Sequence, residues 1–116
     1  MSVSAAFTPT GNTVTFTANV SGSVPTPVLV QTSGGLGSNQ YRIINASTSV
    51  IAHLAVGTSA AAATTNAVIA TAGTPSPGIP LLPGTDEILT LPPNAYFTAI
   101  TSSSTAVIYI IPGDGL

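Results

Sequence analysis

Glycine, proline, asparagine and serine interrupt this chain so often that only short extended segments fit between them, and that constrains its fold more than any other feature. Turn-forming clusters stand at Gly11-Asn12, Ser21-Gly22, Pro25 to Pro27, Gly34 to Ser38, Asn45 to Ser49, Gly57 to Thr65, Gly73 to Gly78, Pro83-Gly84, Pro92-Pro93-Asn94, Ser102 to Ser104 and Pro112 to Gly115. The chain is rich in Thr, Ser, Val and Ile, a composition that fits a small all-β protein. The clearest segment is Thr13 to Val20, whose strict alternation puts Val14, Phe16, Ala18 and Val20 on one face and hydroxyl or amide groups on the other, the pattern of a half-buried strand. Val3 to Phe7, Val28 to Gln31, Gln40 to Asn45, Val50 to Val56, Ala67 to Thr71, Asp86 to Leu91, Tyr96 to Thr101 and Ala106 to Ile111 are further strand candidates. Eight or nine strands at this spacing, with no compositional boundary, predict one all-β domain over residues 1–116, an antiparallel sandwich or barrel. Ser59 to Thr65 is rich in alanine, but it lacks a 3.6-residue apolar stripe and is expected to be a loop or one short turn.

The chain carries one Arg, three acids and no Lys in 116 residues: Arg42, Asp86, Glu87 and Asp114. Freely diffusing domains place charge at about a quarter to a third of their surface positions. A protein of this size exposes roughly 5,800 Å², and a standard interface covers about 800 Å² per partner, so whole interface-sized patches must lack charge. That composition predicts a chain whose working state is packed against other protein. A net charge of -2 with a single basic residue argues against nucleic acid, whose binding draws on several Lys or Arg to release counterions. It gives no support to an anionic lipid surface either. The absence of cysteine excludes disulfides and thiolate metal sites. Met1 to Phe7 has neither a basic nor a long apolar region, so no secretory signal is expected. The apolar window Val50 to Ala72 is broken by His53, Gly57, Asn66 and several hydroxyls, and is expected to form short strands rather than a membrane span. An apolar fraction of 44% argues against disorder.

Chemistry-bearing residues are few. His53, the single imidazole, shares a strand face with Ile51 and Ala55 and has no nucleophile or carboxylate near it in sequence, so a partly buried structural or interface role is its default. Asp86 and Glu87 are adjacent on a strand and point to opposite faces, which prevents them from acting together on one substrate. Asp114 lies in a glycine-flanked tail, and no spaced acidic loop suggests calcium. Gly34 to Ser38 lacks the Lys-Ser or Lys-Thr and following helix of a phosphate cradle. Ser and Thr are plentiful, yet no Gly-x-Ser-x-Gly or Ser-x-x-Lys motif accompanies them. The expectation is therefore no enzyme, no catalytic residues, no cofactor and no metal. Arg42 is either a sheet-face residue or an interface anchor paired with a carboxylate, Arg and Tyr being favoured at binding hot spots. The contact residues expected from this reading are Tyr41, Arg42, Tyr96, Tyr109, Pro112, Asp114 and Leu116, with 112–116 a surface tail.

From Tyr41 onward the order of segments is distinctive: Arg42-Ile43-Ile44-Asn45-Ala46-Ser47-Thr48; Ile51-Ala52-His53-Leu54-Ala55-Val56-Gly57-Thr58; Gly78-Ile79-Pro80-Leu81-Leu82-Pro83-Gly84; Ile88-Leu89-Thr90-Leu91-Pro92-Pro93-Asn94; and Ala106 to Leu116 closing in Pro-Gly-Asp-Gly. This order resembles the small decoration, or cement, proteins of tailed-bacteriophage capsids. The resemblance rests on strands and turns and contains no reactive motif. It implies a jelly-roll β-sandwich, made in the host cytoplasm, that sits on the outer capsid surface as a homodimer or homotrimer and bridges capsomers of the major capsid protein. Residues before Tyr41 take no part in it, and 1–12 are either an extended arm or the first strands of the sandwich. The apolar character of the last two strands on both faces adds an expectation that another subunit covers Ile108 or Ile110. A receptor- or carbohydrate-binding head module of a phage fibre or tail is the alternative, with a groove of tyrosines and amides at one end of the sandwich.

Overall fold

The computed structural model describes residues 7–32 and 40–114, and the expected strand at Val3 to Phe7, the glycine loop at Gly34 to Ser38 and the contact at Leu116 lie wholly or largely outside them. Among the described residues nine strands form: β1 (Thr8–Pro9), β2 (Val14–Ala18), β3 (Val28–Leu29), β4 (Gln40–Asn45), β5 (Ala52–Gly57), β6 (Ile79–Leu81), β7 (Asp86–Thr90), β8 (Tyr96–Thr101) and β9 (Ala106–Asp114), with one helix, α1 (Ala60–Asn66), between β5 and β6. They make two antiparallel sheets. The first runs β2-β9-β4-β7, with β1 on the same edge of β9 as β2, and the second runs β3-β8-β5-β6. From β2 onward the chain changes sheet at every connection except β5 to β6, which is the double Greek-key wiring of a jelly roll. The turn chemistry is local: Pro83 and Gly84 occupy the central positions of a turn closed by Thr85 N–H donating to Leu82 C=O at 3.0 Å, and Gly84 takes φ +77°, which favours a residue without Cβ.

Register sets the inward rows. Phe16 faces Ile108, Ile43 faces Ile110 and Tyr41 faces Leu89 in the first sheet; Leu54 sits between Ile79 and Ala99 in the second, with Val56 opposite Phe97. Tyr41, Ile43, Leu54, Leu81, Phe97, Ile108 and Ile110 are fully enclosed where these rows meet. Burying side chains of this size contributes about 2 kcal/mol each. The rings of Tyr41 and Phe97 meet edge to face at 5.0 Å, a favoured aromatic geometry across the sandwich.

The two outer faces differ. On the second sheet, His53, Ala55, Thr98 and Ile100 point outward yet are buried. Helix α1 and the strap 67–78 cover them, and Thr98 Oγ1 donates to Pro25 C=O at 2.7 Å from the 24–27 loop. The second covering layer of β8 is thus the chain's own. Ile108 and Ile110 point into the core, so no second subunit is needed to bury them. Outward from β9 stand Val107, Tyr109 and Ile111 instead, with no described residue over them.

Three sequence expectations change. Ser59 to Thr65 was expected as a loop or one turn, but seven residues from Ala60 form a helix, capped by Ser59 Oγ accepting from Ala62 N–H at 3.1 Å. Ala67 to Thr71 was expected as a strand, but this segment crosses the outer face of the second sheet, where Ala70 N–H donates to His53 Nδ1; only an isolated bridge, Thr71 to Thr74, forms there. Residues 112–116 were expected as a tail, yet β9 runs to Asp114, with Pro112 and Gly113 buried between β1 and β4. Pro112 C=O accepts from Thr10 N–H at 3.0 Å, so its missing N–H faces the break between β1 and β2, where the ladder is already interrupted.

Candidate interaction surfaces

The chemistry-bearing side chains are spread apart. Arg42 and Asp86 project from neighbouring strands on the bare face of the first sheet, because Arg42 shares a face with Ile44 and Ile44 is opposite Asp86. Arg42 Nε donates to Asp86 Oδ1 at 2.8 Å and Nη2 donates to Oδ2, a two-pronged pair whose partners are each 43% exposed. The hydrogen bonds from the guanidinium hold the Asp86 carboxyl below the usual carboxylate range and raise the guanidinium in turn. Glu87 takes the opposite parity, opposite Ile43, at the exposed edge strand β7, where an inward-turned charge discourages edge pairing. The expected divergence of the two acids is what the register gives.

His53 lies on the other sheet, between Pro80 and Ile100, with its Nδ1 accepting from Ala70 N–H at 3.4 Å. Burial alone pushes its pKa down. Arg42, Asp86, Glu87 and Asp114 all belong to the first sheet, so among the described residues no charged side chain shares the sheet of this imidazole. Among the described residues no three of His, Cys, Asp or Glu converge into a metal-holding group, and no helix is long and apolar enough to cross a membrane.

The expected contact residues divide by position. Tyr109 and Arg42 stand on the bare face, and Tyr96 is half-buried opposite Gly57 and Leu29. Asp114 is half-buried opposite Thr8 at the end of β9. Tyr41 and Pro112 do not reach the surface. The Tyr41 hydroxyl donates to Pro92 C=O at 2.7 Å and accepts from Ala95 N–H, tying β4 to the turn before β8, and burial raises its pKa. A partner docking on this fold would not touch either side chain.

Sequence reasoning missed Asn45, which is fully buried. Its Nδ2 donates to Val50 C=O at 3.0 Å and Leu81 C=O at 2.9 Å, and its Oδ1 accepts from Ser47 N–H at 3.0 Å. One amide thereby joins β4 of the first sheet to β6 of the second. Beside it, one residue beyond the Ala52–Leu81 pair on each strand, Ile51 and Leu82 are 41% and 59% exposed. They form an apolar pair at one end of the sandwich. A shallow cleft of about 400 Å³ opens at the side between β2 and β3, lined by Gly11, Asn12, Val14, Leu29, Gln31 and Thr32. It offers amides and a hydroxyl but no aromatic ring.

Compared with known protein families, with curated proteins and with solved structures, the chain gives no match.

Proposed function

We propose that this chain is a structural virion protein that binds the outer surface of a phage capsid and reinforces contacts between major capsid protein capsomers. The observation that carries this reading is the near-absence of charge over 6178 Å² of exposed surface, on which Arg42 and Asp86 already neutralise each other. Neutral hydroxyls and small apolar groups are cheaper to desolvate than ions, so such an exterior suits a subunit covered by neighbours. Repetition on a lattice then supplies avidity from individually weak contacts. The jelly-roll wiring is compatible with this role and with many others, since fold alone does not fix function. The exposed Ile51–Leu82 end is the surface we assign to the shell.

The alternative, a carbohydrate-binding head module, draws on the cleft beside β2 and β3. Its lining lacks the aromatic platform that sugar faces stack on, and all three tyrosines lie elsewhere.

The test is co-sedimentation of the purified chain with tailed-phage shells stripped of their own decoration protein. Saturable binding at a fixed number of copies per capsomer is expected, with Leu82→Asp lowering occupancy at least about tenfold. Absence of saturable binding on every shell tried, together with glycan binding by the isolated chain, would overturn it.

A further inference from the structure

Besides β2, the strands at sheet edges are β1, β3, β6 and β7, and each carries something that blocks a further strand. β1 and β3 have two residues each, β1 with Pro9 in it and β3 following Pro25 and Pro27; β6 contains Pro80, and β7 turns Glu87 inward. β2 has five residues and neither proline, glycine nor charge.

Hydrogen-bond parity shows which peptide groups of β2 are turned outward. Ala46 N–H donates to Val107 C=O at 2.9 Å, so Val107 and Tyr109 turn their peptide groups toward β4, and Ile108 and Ile110 turn theirs toward β2. Val14 and Phe16, opposite Ile110 and Ile108, therefore bond into β9, while Thr15 and Thr17 direct N–H and C=O away from the sheet. Asn19, of the same parity, sends its C=O across to Thr101 N–H of β8 at 3.0 Å. Among the described residues nothing pairs with Thr15 or Thr17 on that side. On the inner face of the strand Val14 and Phe16 stay half-buried, and the cleft between β2 and β3 opens beside Val14.

We propose that β2 is a strand-addition site for an extended, uncharged peptide segment of another protein, bonded to the N–H and C=O of Thr15 and Thr17 with alternate side chains in the cleft. Two observations select that chemistry. Outward donors and acceptors at strand spacing match an extended backbone, which supplies its own N–H and C=O groups in the same rhythm. The cleft lining (Gly11, Asn12, Val14, Leu29, Gln31 and Thr32) and the edge itself hold no ionisable group, so a charged side chain entering would lose water and gain no partner. Val14 and Leu29 suit apolar residues at every second position. The inference goes beyond the shell reading, and its failure would leave the Ile51–Leu82 assignment untouched.

Amide exchange and amide chemical shifts of the full chain test it. In the free protein, Thr15 and Thr17 amides are expected to exchange fast and the Phe16 amide slowly. The probes are short, capped, uncharged peptides alternating Thr with Val, Ile or Phe, added up to about 5 mM. At least one is expected to shift the Thr15 and Thr17 signals saturably and slow their exchange, leaving Ile88 on β7 unmoved. Methylating alternate amide nitrogens of that probe in one register is expected to weaken binding at least about tenfold, and in the other register to change little. Thr17→Pro removes a donor that β9 does not use, so the variant is expected to keep its circular dichroism and urea midpoint while binding the probe at least about tenfold more weakly. Should it unfold, the methylated probes carry the test on the wild type. Thr15 and Thr17 amides already slow to exchange in the free chain would mean that its own segment or a second copy occupies the edge, and would overturn the inference. So would a panel that leaves both signals unmoved, or binding indifferent to methylation.

Discussion

His53 holds its ring against a strap that offers one long hydrogen bond, from Ala70 N–H, and no compensating charge. Burial lowers its folded pKa below the usual imidazole value of 6.5. Between the folded value and 6.5 the unfolded chain therefore binds the extra proton, so its contribution to stability is complete above pH 6.5 and is lost as pH falls through the folded value. As the chain has only this histidine, a slope in that window is assignable to it. Urea denaturation is expected to show a lower midpoint at pH 5 than at pH 7.5, the slope bounded by about 1.4 kcal/mol per pH unit for one proton. His53→Gln keeps an acceptor for Ala70 N–H and should flatten the profile. A wild type equally stable at both pH values would show that the strap opens freely to water. The face shared with Ile51 and Ala55 was legible from alternation. What covers that face was not, because it depends on where residues 67–78 travel. Asn45 was equally opaque: its sequence neighbourhood, Asn-Ala-Ser-Thr-Ser, looks like any turn, and nothing local reveals that Leu81 supplies an acceptor from the other sheet.

Among the elements, β2 was legible because its own alternation matches its burial residue by residue, whereas β4 alternates in burial but departs from the sequence pattern at outward Ile44 and buried Asn45. β6 was missed because Pro80 and Pro83 look like breakers, although an edge strand tolerates a missing N–H and β6 pairs on one side only. α1 was missed because its helical state is fixed by contacts at its two ends. A Cβ on Gly57 would fall on the Ala63 amide, so glycine allows the helix to lie directly over β5. Asn66 Nδ2 donates to Val56 C=O at 2.7 Å, clamping the other end. The C-terminal residues follow the same logic, since Pro112 to Asp114 close β9 against both neighbours. Ending the chain at Ile111 removes the hydrogen bond to Thr10 and the pairing that holds β1. At about 1 kcal/mol per lost bond, the urea midpoint is expected to fall by about 1 M or more. An unchanged midpoint with β1 released would return these residues to the role of a surface tail.

For the molecule as a whole, the single-domain sandwich was legible from breaker spacing, whereas the difference between its two outer faces was not, since it depends on where α1 and residues 67–78 pack. Low charge also sets how association responds to solvent. Long-range attraction in most protein complexes comes from unpaired surface ions and is screened within about 8 Å at physiological ionic strength. Here the only basic side chain is already paired, and the net charge is -2, so little remains to screen. The dissociation constant for a shell is therefore expected to change less than about threefold between 50 and 500 mM sodium chloride. Ammonium sulfate, which is excluded from protein surface and strengthens apolar burial, should tighten binding instead. The measurement is a binding isotherm in each salt at constant pH. Steep weakening in sodium chloride would mean that Glu87 or Asp114 meets a basic partner and that ion pairing drives assembly. Weakening in sulfate would mean that the contacts bury little apolar area.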